Sequence, residues 1–184
     1  MTMTREALAE KIAELSLLRG TFTLRSGRTS SYYLDKYRFS TRPEVLRAVA
    51  ELFAETVRAV EADAGAPADR LAGAELGGIP LVTATGLITG HPVVFIRNQK
   101  KDYGTAKQLE GELNAGDRVI LLEDVATTAG QAAEACATIR EQGAEVLAAI
   151  AVVDRLEGAA ETMAGAGVRF ERLFTVRDLG VTDV

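Results

Sequence analysis

The chain has 184 residues, of which 47% are hydrophobic and 26% charged, with a formal net charge of −5. That length suits one domain with a full hydrophobic core, and the acidic balance argues against a protein that coats nucleic acid, which needs clustered Lys and Arg. One Cys and one His leave no internal disulfide framework and argue against a Cys/His zinc site. Met1–Leu18 is charged and amphipathic, without the apolar centre of a signal peptide, and no apolar run approaches the roughly 20 residues of a membrane span. A cytoplasmic protein with no membrane partner is expected.

Taken in chain order, Glu6–Leu18 places Leu8, Ile12, Leu15 and Leu18 at helical spacing. A segment rich in Ser, Gly and Tyr follows, and it reads as a hairpin of Thr21–Leu24 and Tyr32–Leu34 around Arg25-Ser-Gly-Arg28. Pro43 opens a long helix to about Val60, since proline suits a first turn whose N–H is unpaired anyway. After Gly65-Ala-Pro the pattern alternates. Strands are predicted at Arg70–Ala74, Val93–Ile96, Arg118–Leu122, Val146–Val153 and Phe170–Phe174. Helices are predicted at Pro80–Thr89, Gly130–Gln142 and Glu157–Ala164, and Arg97–Gly111 reads as a polar loop. Strands alternating with helices imply an α/β fold with a mostly parallel central sheet flanked by helices on both faces, and ligands then sit beyond the strands' carboxyl ends.

The most informative passage is Val119-Ile-Leu-Leu-Glu-Asp-Val-Ala-Thr-Thr-Ala-Gly130. An apolar strand ends in two carboxylates, and two hydroxyls and a small-residue turn then lead into a helix. Backbone N–H groups from Ala126 to Gly130, at a helix N-terminus, favour a phosphate dianion. Thr127 and Thr128 add hydroxyl donors, while Ala129 and Gly130 let the backbone approach. Glu123 and Asp124 can accept hydrogen bonds from sugar hydroxyls, so the chemistry fits a phosphorylated sugar. No Gly-Lys-Ser/Thr of a P-loop and no G-x-G-x-x-G after a strand is present.

This string resembles the binding motif for phosphoribosyl pyrophosphate (PRPP) in type I phosphoribosyltransferases. The resemblance implies Glu123 and Asp124 at the ribose, and Thr127, Thr128, Ala129 and Gly130 at the 5-phosphate, with Val125, Ala126 and Gln131 completing the motif. Family members usually carry a second Gly where Ala129 stands.

Four further passages are similar to the orotate phosphoribosyltransferases within that family. Phe22–Lys36 resembles an amino-terminal hood over the base, which implies Arg25, Tyr32 and Tyr33, together with Thr127, at orotate. Glu75-Leu76-Gly77-Gly78 resembles the pyrophosphate loop. Arg97–Lys107 resembles a catalytic loop that reaches into a neighbouring subunit. Arg97, Lys100, Lys101 and Tyr103 then contact PRPP, with Lys101, Arg97 and Asp124 in catalytic roles. Asn98 stands where the family usually has Lys. Val153-Asp-Arg-Leu-Glu157 resembles the base-reading segment, which implies that Arg155 pairs with orotate's carboxylate.

The resemblance therefore implies a type I phosphoribosyltransferase-like fold over residues 1–184 as a single domain, with a small hood over roughly 1–40 and a core over roughly 41–175. It implies transfer of phosphoribosyl from PRPP to orotate in pyrimidine biosynthesis. It also implies a homodimer and Mg²⁺ held through PRPP, with Asp124 the one candidate direct ligand. A phosphoribosyltransferase for another base and a non-catalytic PRPP-sensing regulator are the alternatives. His91, Cys136 and Asp35 read as structural.

Overall fold

The computed structural model describes residues 3–23, 27, 29–98 and 108–182. The chain opens with helix α1 (Arg5–Ser16), whose first turn is capped by the Thr4 hydroxyl accepting from the Ala7 N–H at 3.2 Å. Leu8 and Ile12 bury its inner face. Helix gives way directly to strand at Leu17, one residue before the expected helix end. Strands β1 (Leu17–Thr23) and β2 (Thr29–Leu34) pair antiparallel, with Arg19 opposite Tyr32 and an irregularity between Arg19 and Phe22. A short helix that the sequence pattern did not reveal, α2 (Lys36–Ser40), follows and is capped by Asp35.

Helix α3 (Pro43–Ala64) has Pro in its first turn and ends at Gly65, whose φ of 67° is the left-handed conformation that glycine adopts without strain. Val45, Val49, Phe53, Val57 and Val60 recur at helical spacing and are fully buried. Each such side chain contributes about 1.5–3 kcal/mol when removed from water, so this one stripe anchors the helix to the sheet.

The remaining elements alternate as expected, except that a short strand at Leu109–Glu110 forms within the segment read as a polar loop. They are β3 (Arg70–Ala74), α4 (Gly78–Thr89), β4 (Val93–Ile96), β5 (Leu109–Glu110), β6 (Arg118–Ala126), α5 (Gly130–Glu141), β7 (Glu145–Asp154), α6 (Ala159–Gly165) and β8 (Phe170–Thr175). They build a six-stranded sheet of order β5-β4-β3-β6-β7-β8, parallel except for the antiparallel edge strand β5. Strand β6 runs four residues past the predicted end and carries Glu123 and Asp124 within it. Its pairing with β7 continues to Ala126 opposite Asp154, which keeps both acids extended.

Side-chain alternation along β6 divides the core. Ile120 and Leu122 pack with α1, α3 and α4, whereas Val119 and Leu121 pack with α5 and α6. Both sheet faces are therefore covered, as a parallel sheet requires. From β3 the chain crosses through α4 to β4 on one side, while β6 lies on the other side. This is the switch point at which the loops beyond the strands diverge and leave a crevice. Among the described residues no helix is long and apolar enough to cross a membrane.

Helix α4 lies directly on β3 because Gly73 has no side chain. A Cβ there would come within 2.5 Å of the Gly78 carbonyl oxygen and 2.7 Å of Val82 Cγ1. Since the nearest atom is backbone, Gly73→Ala is expected to destabilise the fold by about 1–3 kcal/mol through overpacking. Thermal unfolding followed by circular dichroism reads this as a fall of several degrees in Tm, and an unchanged Tm would contradict the close approach.

Candidate active site

The carboxyl ends of β3 and β6 lie side by side at the switch point. Asp124 follows the Ile120–Leu122 side of β6 and is 1% exposed. Its Oδ1 accepts from the Val125 N–H at 2.6 Å and from Lys36 Nζ at 3.2 Å, and the same ammonium lies 3.0 Å from Oδ2. Oδ2 is buried and has no aligned hydrogen-bond donor among the described residues. Glu123 is half-buried beside it, with the Asp124 N–H 3.3 Å from its Oε1. Burial first, then the Asp124 charge, push the Glu123 pKa well above the ordinary carboxyl value; the Lys36 charge opposes them only in part. Burial alone would lower the Lys36 pKa, but Asp124 and Glu123 prevail and hold it above the ordinary lysine value.

Beyond the acids, Thr127 is half-buried and Thr128 exposed, and Ala129 turns the chain into α5. Ala129 has φ 57° and ψ 19°, the left-handed conformation. This explains physically why glycine suits that position, and an alanine there is strained by roughly 1–2 kcal/mol. The N–H groups of Gly130, Gln131 and Ala132, in the first turn of α5, have no carbonyl partner within the helix.

The neighbouring turn runs from Glu75 to Gly78 and includes a cis peptide bond between Glu75 and Leu76. A Cβ at Gly77 would overlap Asp124 Oδ2, and one at Gly78 would lie 3.0 Å from the Leu122 carbonyl oxygen. The turn is thus pressed against the acidic pair, and only glycine fits at its tip. The Glu75 carboxylate is engaged just past the carboxyl end of β4. Its Oε1 accepts from the Asn98 N–H at 2.7 Å, and the Glu75 carbonyl accepts from Asn98 Nδ2 at 3.2 Å. Asn98 therefore ties the end of β4 to the turn.

Arg97 directly follows β4. Its N–H donates to the Gln108 carbonyl at 2.8 Å and its Nη1 lies 3.7 Å from Glu110 Oε1. Arg25, Lys100, Lys101, Tyr103 and Lys107 lie outside the described residues.

The third wall comes from β7 and the hairpin. Register pairing of Ala126 with Asp154 makes Thr127 and Arg155 emerge next to each other, and the Arg155 N–H donates to the Ala126 carbonyl at 2.9 Å. Asp154 is buried, accepting from the Leu156 N–H at 2.8 Å and from Arg172 at 3.1 Å, so it shapes the turn that presents Arg155. The Arg155 guanidinium is itself 2.8 Å from Glu157, donates through Nε to the Tyr32 hydroxyl at 3.2 Å, and lies 4.8 Å from the Tyr32 ring centroid. Tyr32 is buried, whereas Tyr33 is exposed on the other face of β2, 5.7 Å from the Phe22 ring. The two tyrosines, grouped together by sequence, thus face different surroundings, and Tyr32 is the one joined to Arg155.

These features combine paired acids, a small-residue turn before a helix N-terminus, a glycine turn beside the acids, and a buried guanidinium against an aromatic ring. The phosphoribosyl transferase domain model matches residues 38–175. The chain is 44% identical to the orotate phosphoribosyltransferase of Natronomonas pharaonis over 96% of its length and 98% of that protein. It is 40% identical to that of Pyrococcus furiosus, over 95% of the chain and 94% of the relative. The chain belongs to the orotate phosphoribosyltransferase family.

Within that family, the solved Mycobacterium tuberculosis orotate phosphoribosyltransferase in complex with PRPP superposes with a TM-score of 0.79 at 32% identity, covering 96% of this chain and 99% of that one. The fold class read from the sequence is thereby established, as is the type I arrangement of its central sheet. The structure brings together Glu123, Asp124, Gly77 and Gly78 at one point, and Thr127, Arg155 and Tyr32 at another. It adds Lys36, which sequence reasoning quoted only as the end of the hood segment. The signal that would find it is a contact across 88 residues, which local pattern does not carry.

The residues read as structural keep that character. His91 Nε2 lies 3.1 Å from Glu61, and Asp35 caps α2 by accepting from the Tyr37 N–H at 3.3 Å. Cys136 is fully buried and its thiol pKa is pushed up to about 12 by burial.

Because the Glu123 pKa is raised, its contribution to stability is greatest below the unfolded value, roughly pH 4.5, and is lost as the pH rises through the folded value. Glu123→Gln removes a penalty that grows with pH. The variant is expected to gain Tm over the parent at pH 8 and to gain little at pH 4. Equal differences at both pH values, read by differential scanning fluorimetry, would contradict the crowding of the acidic pair.

Proposed function

We propose that this chain transfers the phosphoribosyl group of PRPP to orotate, giving orotidine 5′-monophosphate and pyrophosphate. The observation that carries the reading is the meeting of Asp124 with Gly77, which joins a sugar-binding acid to an anion-binding turn at the fold's switch point. Glu123 and Asp124 accept from the ribose hydroxyls, and Val125 to Gln131 surround the 5-phosphate, with N–H groups of that segment and the Thr127 and Thr128 hydroxyls donating to it. Backbone of Glu75–Gly78 cradles the pyrophosphate. Arg155 pairs with the orotate carboxylate, and Tyr32, bonded to it, sets the guanidinium plane. Arg25, Tyr33 and Thr127 complete the base pocket.

The acids fit a substrate-borne Mg²⁺. Asp124 Oδ2 is a buried acceptor without an aligned donor among the described residues. Asp124 would be the protein contact of Mg²⁺ carried in on PRPP, and the ion would supply positive charge against the pyrophosphate. Rate comes from positioning and charge stabilisation, with no covalent enzyme intermediate. Arg97, Lys100, Lys101 and Tyr103 contribute from the 97–107 loop.

The chain acts as one catalytic domain over residues 1–184, hood and core together, in a homodimer whose loop serves the neighbouring site. Exposed apolar side chains support the second copy: Leu76 in the 75–78 turn, and Leu87 and Ile88 in the last turn of α4.

The direct test is loss of orotate's ultraviolet absorbance with PRPP and Mg²⁺ present. Loss that requires all three components is expected, and no loss while PRPP still binds would redirect the reading to another base or to a regulator. Arg155→Gln should raise the orotate KM by at least about tenfold while changing the PRPP KM little, since one charged pair is removed. Equal orotate KM would mean another group reads the carboxylate. Mixing inactive Lys101→Ala with inactive Asp124→Asn should restore activity if the loop works across subunits, because one hybrid site is then intact. Mixtures that exchange subunits yet stay inactive would place the loop in its own site.

A further inference from the structure

The Lys36 ammonium, at the end of the hood segment, reaches the acidic pair across 88 residues of sequence. Lys36 is the first residue of α2, behind the capping Asp35, and its side chain is 35% exposed. Its Nζ is 3.0 and 3.2 Å from the two Asp124 oxygens. Asp124 is already oriented by the Val125 N–H at 2.6 Å, so the ammonium is not needed merely to fix the carboxylate's direction. Against Oδ2 lies Gly77, with no room for a side chain. A hood cation, the acid at the end of β6 and the turn at the end of β3 therefore converge on one point.

Resting on the transferase reading, that point has a chemical meaning. The ribose belongs to Glu123 and Asp124 and the pyrophosphate to the 75–78 turn, so the bond between them lies where Lys36 Nζ is. The turn has no cation of its own: its residues are Glu, Leu, Gly and Gly, and Glu75 is engaged with Asn98. The leaving group is highly anionic, and a flexible four-carbon stem lets the ammonium follow it.

We propose that Lys36 is a substrate-contacting catalytic cation that spans Asp124 and the pyrophosphate of PRPP at the bond that breaks. The electron pair of the carbon–oxygen bond departs with pyrophosphate. The ring nitrogen of orotate provides the pair for the new carbon–nitrogen bond and its proton passes to solvent. Lys36 keeps its proton throughout and offsets charge on the departing oxygen.

The test titrates magnesium pyrophosphate calorimetrically into the parent chain and into Lys36→Met, Lys36→Gln and Lys36→Arg, alongside steady-state kinetics. Both uncharged variants should bind magnesium pyrophosphate at least about tenfold more weakly and lose about 10²-fold in kcat/KM for PRPP, the scale of losing one preorganised donor. Lys36→Arg should stay within a few fold of the parent, and the orotate KM should stay unchanged in all three. Melting curves identify any variant that fails to fold, and the two uncharged variants serve as alternates. An uncharged, folded variant that binds magnesium pyrophosphate like the parent overturns the assignment. A parent that binds magnesium pyrophosphate through Lys36 yet consumes no orotate overturns the transferase reading and supports the contact.

Discussion

The Asp124 carboxylate is the constraint around which the site is built. It is buried at the end of β6, held by its own strand's backbone, bridged by an ammonium from the hood, and pressed against a glycine turn from β3. A buried charge left alone costs several kcal/mol, so each neighbour is needed. Lys36 supplies the countercharge, and glycine at 77 is what lets the two strand ends approach. The rest of the fold serves to hold that meeting. Gly73 lets α4 sit on β3, and the buried stripe of α3 packs against the face from which Asp124 projects.

The site is poised rather than relaxed. Glu123 and Asp124 are adjacent acids, and burial first, then the Asp124 charge, raise the Glu123 pKa. Ala129 holds left-handed backbone without being glycine. Crowded acids and strained backbone at a binding site reflect a surface complementary to a ligand, here a sugar diol and phosphates, more than to its own neighbours. Arg155 shows the same economy. Its guanidinium is paired with Glu157, lies against the Tyr32 ring and is presented by the turn that Asp154 shapes, so its direction is set before any base arrives.

Much of this was legible in the sequence where one local rule dominates. Strands β3 and β4 have the predicted bounds because short apolar runs between turn signals leave little choice. The helix after Gly130 was legible because a small-residue turn precedes an apolar-periodic stretch. The sequence pattern fell short where long-range pairing decides. Strand β6 extends through Glu123 and Asp124 because β7 continues to pair with it, although two adjacent acids look like the end of a strand. Strand β5 sits in a segment read as loop and exists through two antiparallel partners on β4. Helix α2 is too short to show periodicity, and Lys36, its first residue, has its meaning only through Asp124. The separate surroundings of Tyr32 and Tyr33 follow from strand alternation once the hairpin's inner face is known, and that face is set by Val176 and Val181 from the far end of the chain.

The measurement that tests the account most directly is a crystal structure of this chain with PRPP, Mg²⁺ and an unreactive orotate analogue. The account predicts the ribose hydroxyls on Glu123 and Asp124, the pyrophosphate on the 75–78 turn, and the analogue's carboxylate on Arg155. A sugar phosphate bound away from the β3–β6 switch point, with Asp124 still wholly occupied by Lys36, would contradict it.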